Sequence, residues 1–187
     1  MSGRVLLSSL VLLAYPLAVY FGLSRWGLGG VAGLLGVLFA LRLAAGGSAK
    51  FKQLKIVAWI SGAAGLLLVL LSILFKQAGW LLYYPVVVNV LMLALFGSSL
   101  FLGQTMIERF ARLREPNLPE SGIRYTRTVT QIWCIFFIIN GSIALITCFG
   151  SLEAWTLYNG LISYVLMGSL FLGEFLVRRK MRERFEG

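Results

Sequence analysis

Three asparagines, Asn89, Asn140 and Asn159, stand inside stretches otherwise built from leucine, isoleucine, valine and phenylalanine, and Gln131 and Glu174 stand in similar surroundings. A polar side chain in lipid is costly, so each is read either as a helix-to-helix hydrogen bond or as part of a polar path for a ligand. The first use contributes about 0.6–2 kcal/mol per bond. Other reactive groups are few. The chain has no histidine and no aspartate, and its seven acids are all glutamates. A histidine-dependent triad, a histidine-containing metal site and an aspartate dyad are excluded. Cys134 and Cys148 share one apolar segment, about 21 Å apart on a helix, so they cannot pair within the chain and read as small apolar filler. No nucleophile and base can be assembled. Catalytic residues, a cofactor and a metal site are therefore not expected. Glu174 precedes Arg178 by one turn, which suits an ion pair at the membrane surface better than a proton relay.

The elements that position these residues follow from composition. Of 187 residues, 59% are hydrophobic and 13% charged, with mean hydropathy +0.86. A soluble domain carries about a quarter charged residues. A single soluble core could not hide this much apolar surface, so the solvent is lipid. The fold class expected is all-α, one membrane domain over 1–187 with six transmembrane helices in three hairpins. Their expected bounds are 5–23, 28–45, 56–75, 81–103, 128–149 and 155–177, with a polar loop at 104–127 and a basic tail at 178–187. Segment one reads as a retained helix bent at Pro16 rather than a signal peptide. Segment two carries small-xxx-small ridges at Gly29/Gly33 and Ala32/Gly36/Ala40/Ala44, which suit close helix packing and would also suit a homo-oligomer. Arg42 near its end is expected to snorkel to the surface. Trp80, Tyr83 and Tyr84 form an aromatic belt at the start of segment four.

Of the 17 basic residues, all but Arg25 and Lys76 fall on one side of this arrangement. The positive-inside rule then puts both termini in the cytoplasm of a multi-pass plasma-membrane protein. The net charge of +10 is placed for membrane orientation, not for nucleic acid. In the loop, Glu108 and Arg112 are spaced to pair on a helix that extends segment four, and Pro116 and Pro119 end it. Arg109, Arg112, Arg114, Arg124, Tyr125 and Arg127 make a surface for anionic lipid headgroups or for a soluble partner. Thr126, Thr130, Trp133, Phe137 and Asn140 recur every three or four residues, so they share one face that should point into the bundle.

Segments four and six end in the same word. Ser99-Leu100-Phe101-Leu102-Gly103 returns seventy residues later as Ser169-Leu170-Phe171-Leu172-Gly173, and at the same offset Asn89 meets Asn159. Segments 3–4 and 5–6 thus read as a parallel repeat of one hairpin, a feature of some transporters and of proteins that transport nothing.

A W-x-x-F-F…N run (Trp133, Phe136, Phe137, Asn140) followed by a W…N element (Trp155, Asn159) resembles the bacterial inner-membrane septation protein A family. ERFARL…P-x-L-P…YTRxVTxxW is more similar to uncharacterised relatives encoded among aryl-polyene and fatty-acid-like biosynthesis genes. The resemblance covers residues 50–180 and transfers no catalytic residue. Some such relatives carry the label ketosynthase, which needs a cysteine nucleophile with histidine partners and does not suit a chain without histidine. The function expected is a non-enzymatic inner-membrane accessory or scaffold of envelope or aryl-polyene-lipid biogenesis, with cytoplasmic biosynthetic enzymes as partners. The alternatives are a small transporter or flippase for a lipid-linked product and, more weakly, an acyl-processing membrane enzyme.

Overall fold

Gly27 makes the sharpest break in the first helical run. The computed structural model describes the backbone of residues 3–45, 52–113 and 115–186 and the side chains of 15–43, 55–113 and 115–179. Helix α1 (Gly3–Ala45) is helical on both sides of Gly27, whose φ of 64° and ψ of −175° belong to glycine alone. The chain folds back there. The Tyr15 and Phe39 rings are 5.9 Å apart, where a straight helix would separate these residues by about 36 Å. Two antiparallel arms result, matching the expected turn between segments one and two.

Helix α2 (Lys52–Leu74) packs on the second arm, and glycines set how closely. A Cβ on Gly65 would lie 2.5 Å from the Phe39 ring, and one on Gly62 would lie 2.9 Å from Leu43. After a turn at Lys76, a 3₁₀ segment (Ala78–Tyr83) leads into α3 (Tyr84–Ser99), with Pro85 in the first turn where its missing N–H costs least. Helix α5 (Glu120–Thr147) lies against α3. Then Ser151 caps α6 (Leu152–Leu157), a π turn (Tyr158–Ile162) follows, and α7 (Ser163–Glu186) completes the described chain. No strand occurs among the described residues.

Helix α7 runs to Glu186, through most of the expected tail at 178–187, and three boundaries around the polar loop also differ from expectation. Helix α3 stops at Ser99, not at 103, and the segment after it is no continuation. Gly103 turns the chain at φ 94°, and Thr105 caps a separate short helix, α4 (Met106–Arg112). A capping box overrides the apolar run because it satisfies the backbone N–H groups that open a new helix. At the third boundary, α5 starts at Glu120, eight residues before the apolar run. Hydropathy marks where lipid begins, and a helix does not have to start there.

Two cores result. Tyr15, Val19, Leu35, Phe39, Leu81, Tyr84 and Trp155 fill one end, and Phe96, Met106, Val129, Trp133 and Phe137 fill the other. Large apolar side chains such as Leu67, Leu70 and Leu74 on α2 and Phe171, Leu172 and Phe175 on α7 point outward. Five described helical stretches are long and apolar enough to cross a membrane, among them Tyr15–Leu43, which contains the reversal at Gly27. The protein is an all-helical, multi-pass membrane protein.

Candidate functional site

The intramembrane polar residues gather where α3, α5 and the π turn meet. On α5, the expected stripe of Thr126, Thr130, Trp133, Phe137 and Asn140 is buried throughout. Next to it, a Cβ on Gly141 would lie 3.0 Å from the Cβ of Asn89. Glycine here lets α3 and α5 approach closely enough for their asparagines to touch without Asn89 having to shift.

The contacts form a directed chain. The Tyr158 hydroxyl donates to Asn140 Oδ1 at 2.9 Å. Asn140 Nδ2 donates to Asn89 Oδ1 at 3.0 Å. Asn89 Nδ2 donates to the Pro85 carbonyl at 2.8 Å, one turn back on α3. All three side chains are buried. Asn159 makes a parallel arrangement, donating to the Trp155 carbonyl at 2.9 Å and to Thr147 Oγ1 on α5 at 3.1 Å. In a regular helix, Tyr158 and Asn159 would point about 100° apart. The π turn underwinds the helix, and both are buried. Gly160 within it lets Pro16 of the first arm pack against the turn, 3.4 Å from where a Cβ would lie.

Beyond this cluster, the carbonyls of the 3₁₀ segment act as a second collecting point. Leu81 would receive an α-helical bond from residue 85, but Pro85 has no N–H. The Tyr84 N–H and the Tyr15 hydroxyl donate to it instead, the latter at 2.7 Å. Trp155 Nε1 donates to the Leu82 carbonyl at 3.0 Å, and Cys148 Sγ lies 3.3 Å from the same oxygen. One short segment thus ties α1, α5 and α6 together.

Of the five residues singled out in the membrane, the structure joins Asn89 and Asn140 and places Asn159 next to Tyr158, against Thr147 two turns further along α5. Gln131 is exposed on α5, outside the cluster. Glu174 lies on α7 beside Tyr125, whose hydroxyl donates to the Glu174 carbonyl at 3.3 Å. Among the described residues Glu174 and Arg178 form no ion pair, against the expectation from their spacing; a partly exposed i,i+4 pair gains little from closing. The Glu108–Arg112 pair is present at 2.9 Å. It is embedded in a cap. Glu108 N–H donates to Thr105 Oγ1, Thr105 N–H donates to Glu108 Oε2, and Arg112 Nη1 reaches the Pro116 carbonyl at 2.8 Å. Arg109 Nε donates to the Gln104 carbonyl. Arg124 and Arg127 are exposed on the first turns of α5, and Arg114 lies outside the described residues.

Sequence reasoning passed over Tyr158 and the pairing of Arg42 with Ser61. Tyr158 could have been found from its position beside Asn159 in an apolar run, which a regular helix cannot bury twice over. Arg42 does not simply reach the surface: its Nε donates to Ser61 Oγ at 3.2 Å. Among the described residues no three cysteine or glutamate side chains converge. Comparison with protein-family models, with curated proteins and with solved structures finds no match.

Proposed function

We propose that the protein is a non-enzymatic accessory or scaffold of the bacterial inner membrane, in envelope or aryl-polyene-lipid biogenesis. The observation that carries this is the mutual hydrogen bonding of Tyr158, Asn140 and Asn89, whose polar atoms hold α3, α5 and the π turn together. Residues joined in this way serve packing, so the function lies outside the bundle. The arginine-bearing surface around α4 and the start of α5, where Arg124 and Arg127 are exposed, as are Phe101, Leu102 and Leu113, is the docking face for anionic headgroups and cytoplasmic biosynthetic enzymes. We further read the fold as six crossings with both termini cytoplasmic, each arm of α1 counting as one. The hairpins formed by α2–α3 and by α5–α7 are two copies of one unit. Supporting the repeat, Asn89 and Asn159 each donate to the carbonyl four residues back.

Single cysteines at Asn89, Asn140 and Asn159, in a background lacking Cys134 and Cys148, test this reading. A membrane-impermeant thiol reagent should leave Asn89→Cys and Asn140→Cys unlabelled in folded protein. Labelling of both would reveal a wet path and favour the transport or flippase reading.

A further inference from the structure

We propose that Arg42, Ser61 and Tyr84, where the second arm of α1 meets α2 and α3, hold the phosphate of an anionic membrane lipid. The second arm runs antiparallel to α2, with Leu43 against Gly62 and Phe39 against Gly65, so Arg42 lies level with Ser61. Lys55 marks the interfacial end of α2. Ser61 lies six residues beyond Lys55, about 9 Å further into the bundle. A guanidinium at that depth needs an anion. Among the described residues no carboxylate supplies it. Glu108 pairs with Arg112, Glu174 sits beside Tyr125, and the chain has no aspartate.

Tyr84 provides the second, independent sign. Its side chain is 2% exposed, and its hydroxyl has no hydrogen-bond partner among the described residues. Arg42 and Ser61 are its polar neighbours. Ser61 Oγ already accepts from Arg42 Nε and donates to the Ala58 carbonyl at 3.2 Å. The Tyr84 hydroxyl therefore lies beside the Arg42–Ser61 pair with no acceptor within hydrogen-bond distance. Tyr164 of α7 brings another hydroxyl near Tyr84. A phosphate has the complementary chemistry, with several oxygen acceptors and a negative charge that a guanidinium grips through paired N–H groups. Arg42 is half-exposed, and the exposed Leu41, Trp59 and Ile60 around it are surfaces for acyl chains. That flank favours a lipid over a soluble phosphate.

Native mass spectrometry of the full-length protein in mild detergent, titrated with phosphatidylglycerol or phosphatidylcholine, reads the site directly. Wild type should hold one phosphatidylglycerol in preference to phosphatidylcholine. Arg42→Gln should weaken that binding about tenfold, the loss of one charge-assisted contact of about 1.4 kcal/mol. Tyr84→Phe should weaken it severalfold while leaving the unfolding temperature unchanged or higher, because it deletes a hydroxyl that the protein itself does not satisfy. This second variant keeps the test sound if Arg42→Gln fails to fold. Equal retention by wild type and both variants would overturn the site, as would an effect of Arg42→Gln with none from Tyr84→Phe. Equal binding of the two lipids would overturn the preference for a net negative headgroup. Displacement by millimolar inorganic phosphate would move the ligand from the bilayer to solution and overturn the lipid assignment.

Discussion

Ser99–Gly103 and Ser169–Gly173 are the same five residues in two conformations. In the first copy α3 ends at Ser99, and the chain turns at Gly103 with φ 94°. In the second all five residues lie inside α7. Identical residues cannot account for the difference, so it comes from the residues downstream of each copy and from the packing around it. After the first copy, Gln104-Thr105-Met106-Ile107-Glu108 offers an N-cap and a capping-box glutamate. After the second, Glu174-Phe175-Leu176 offers neither. Ser99 is buried, donating to the Phe96 carbonyl at 2.6 Å and accepting from Met106 N–H at 2.9 Å, whereas the exposed Ser169 only bonds back to Val165 at 2.9 Å. A helix in lipid therefore stops where the next one is capped, even when apolar residues would let it continue.

The largest effect should come from removing the cap. Glu108 is 4% exposed and joins Thr105 and Arg112 at once. Glu108→Ala leaves the Thr105 N–H and the Arg112 guanidinium without this partner, and should destabilise the protein by about 2–3 kcal/mol. Glu174→Ala, just after the second copy, should change stability by under about 0.5 kcal/mol. Unfolding in detergent, followed by circular dichroism, measures both. Equal losses would mean that the cap does not distinguish the two copies.

The same contrast separates what could be read in the sequence from what could not. The apolar runs announced the membrane helices, and the period of Thr126, Thr130, Trp133, Phe137 and Asn140 announced the buried face of α5. Glu108 and Arg112 could be paired from spacing alone. Hydropathy could not locate the end of α3, because the residues from Leu100 to Gly103 suit a membrane helix as well as a turn. Nor could it show the start of α5, since polar residues such as Arg124 and Thr126 are as content in a helix outside lipid as in a loop. The meeting of Asn89 with Asn140 depends on the close approach at Gly141 and on the order of the helices, which no local pattern contains. The contact of Arg42 with Ser61 could not be read locally either, since it depends on how the second arm of α1 pairs with α2.

Serine substitutions should show the same asymmetry at an intermediate size. Ser99→Ala leaves the Met106 N–H without the hydroxyl that receives it, in a buried setting, and should cost about 1–3 kcal/mol. Ser169→Ala removes only a back-bond to its own helix, and should stay within about 0.5 kcal/mol of wild type. A matching loss at both serines would remove burial from the explanation and leave the caps alone to account for it.

The glycines give the smallest but sharpest test, because the two effects should differ in sign. A Cβ at either Gly103 or Gly173 would meet no atom within 4 Å, so neither substitution is decided by space. Backbone conformation alone decides. At Gly103, φ of 94° lies where an L side chain strains against its own carbonyl, and Gly103→Ala should cost about 1–2 kcal/mol. At Gly173, inside α7, alanine removes the entropy that glycine loses on becoming helical, and Gly173→Ala should be neutral or stabilising by up to about 1 kcal/mol. Paired unfolding curves of the two variants would settle the sign. If Gly103→Ala also stabilised, α3 could run through the turn at little cost, and the ending at Ser99 would then rest on the α4 cap without help from the glycine.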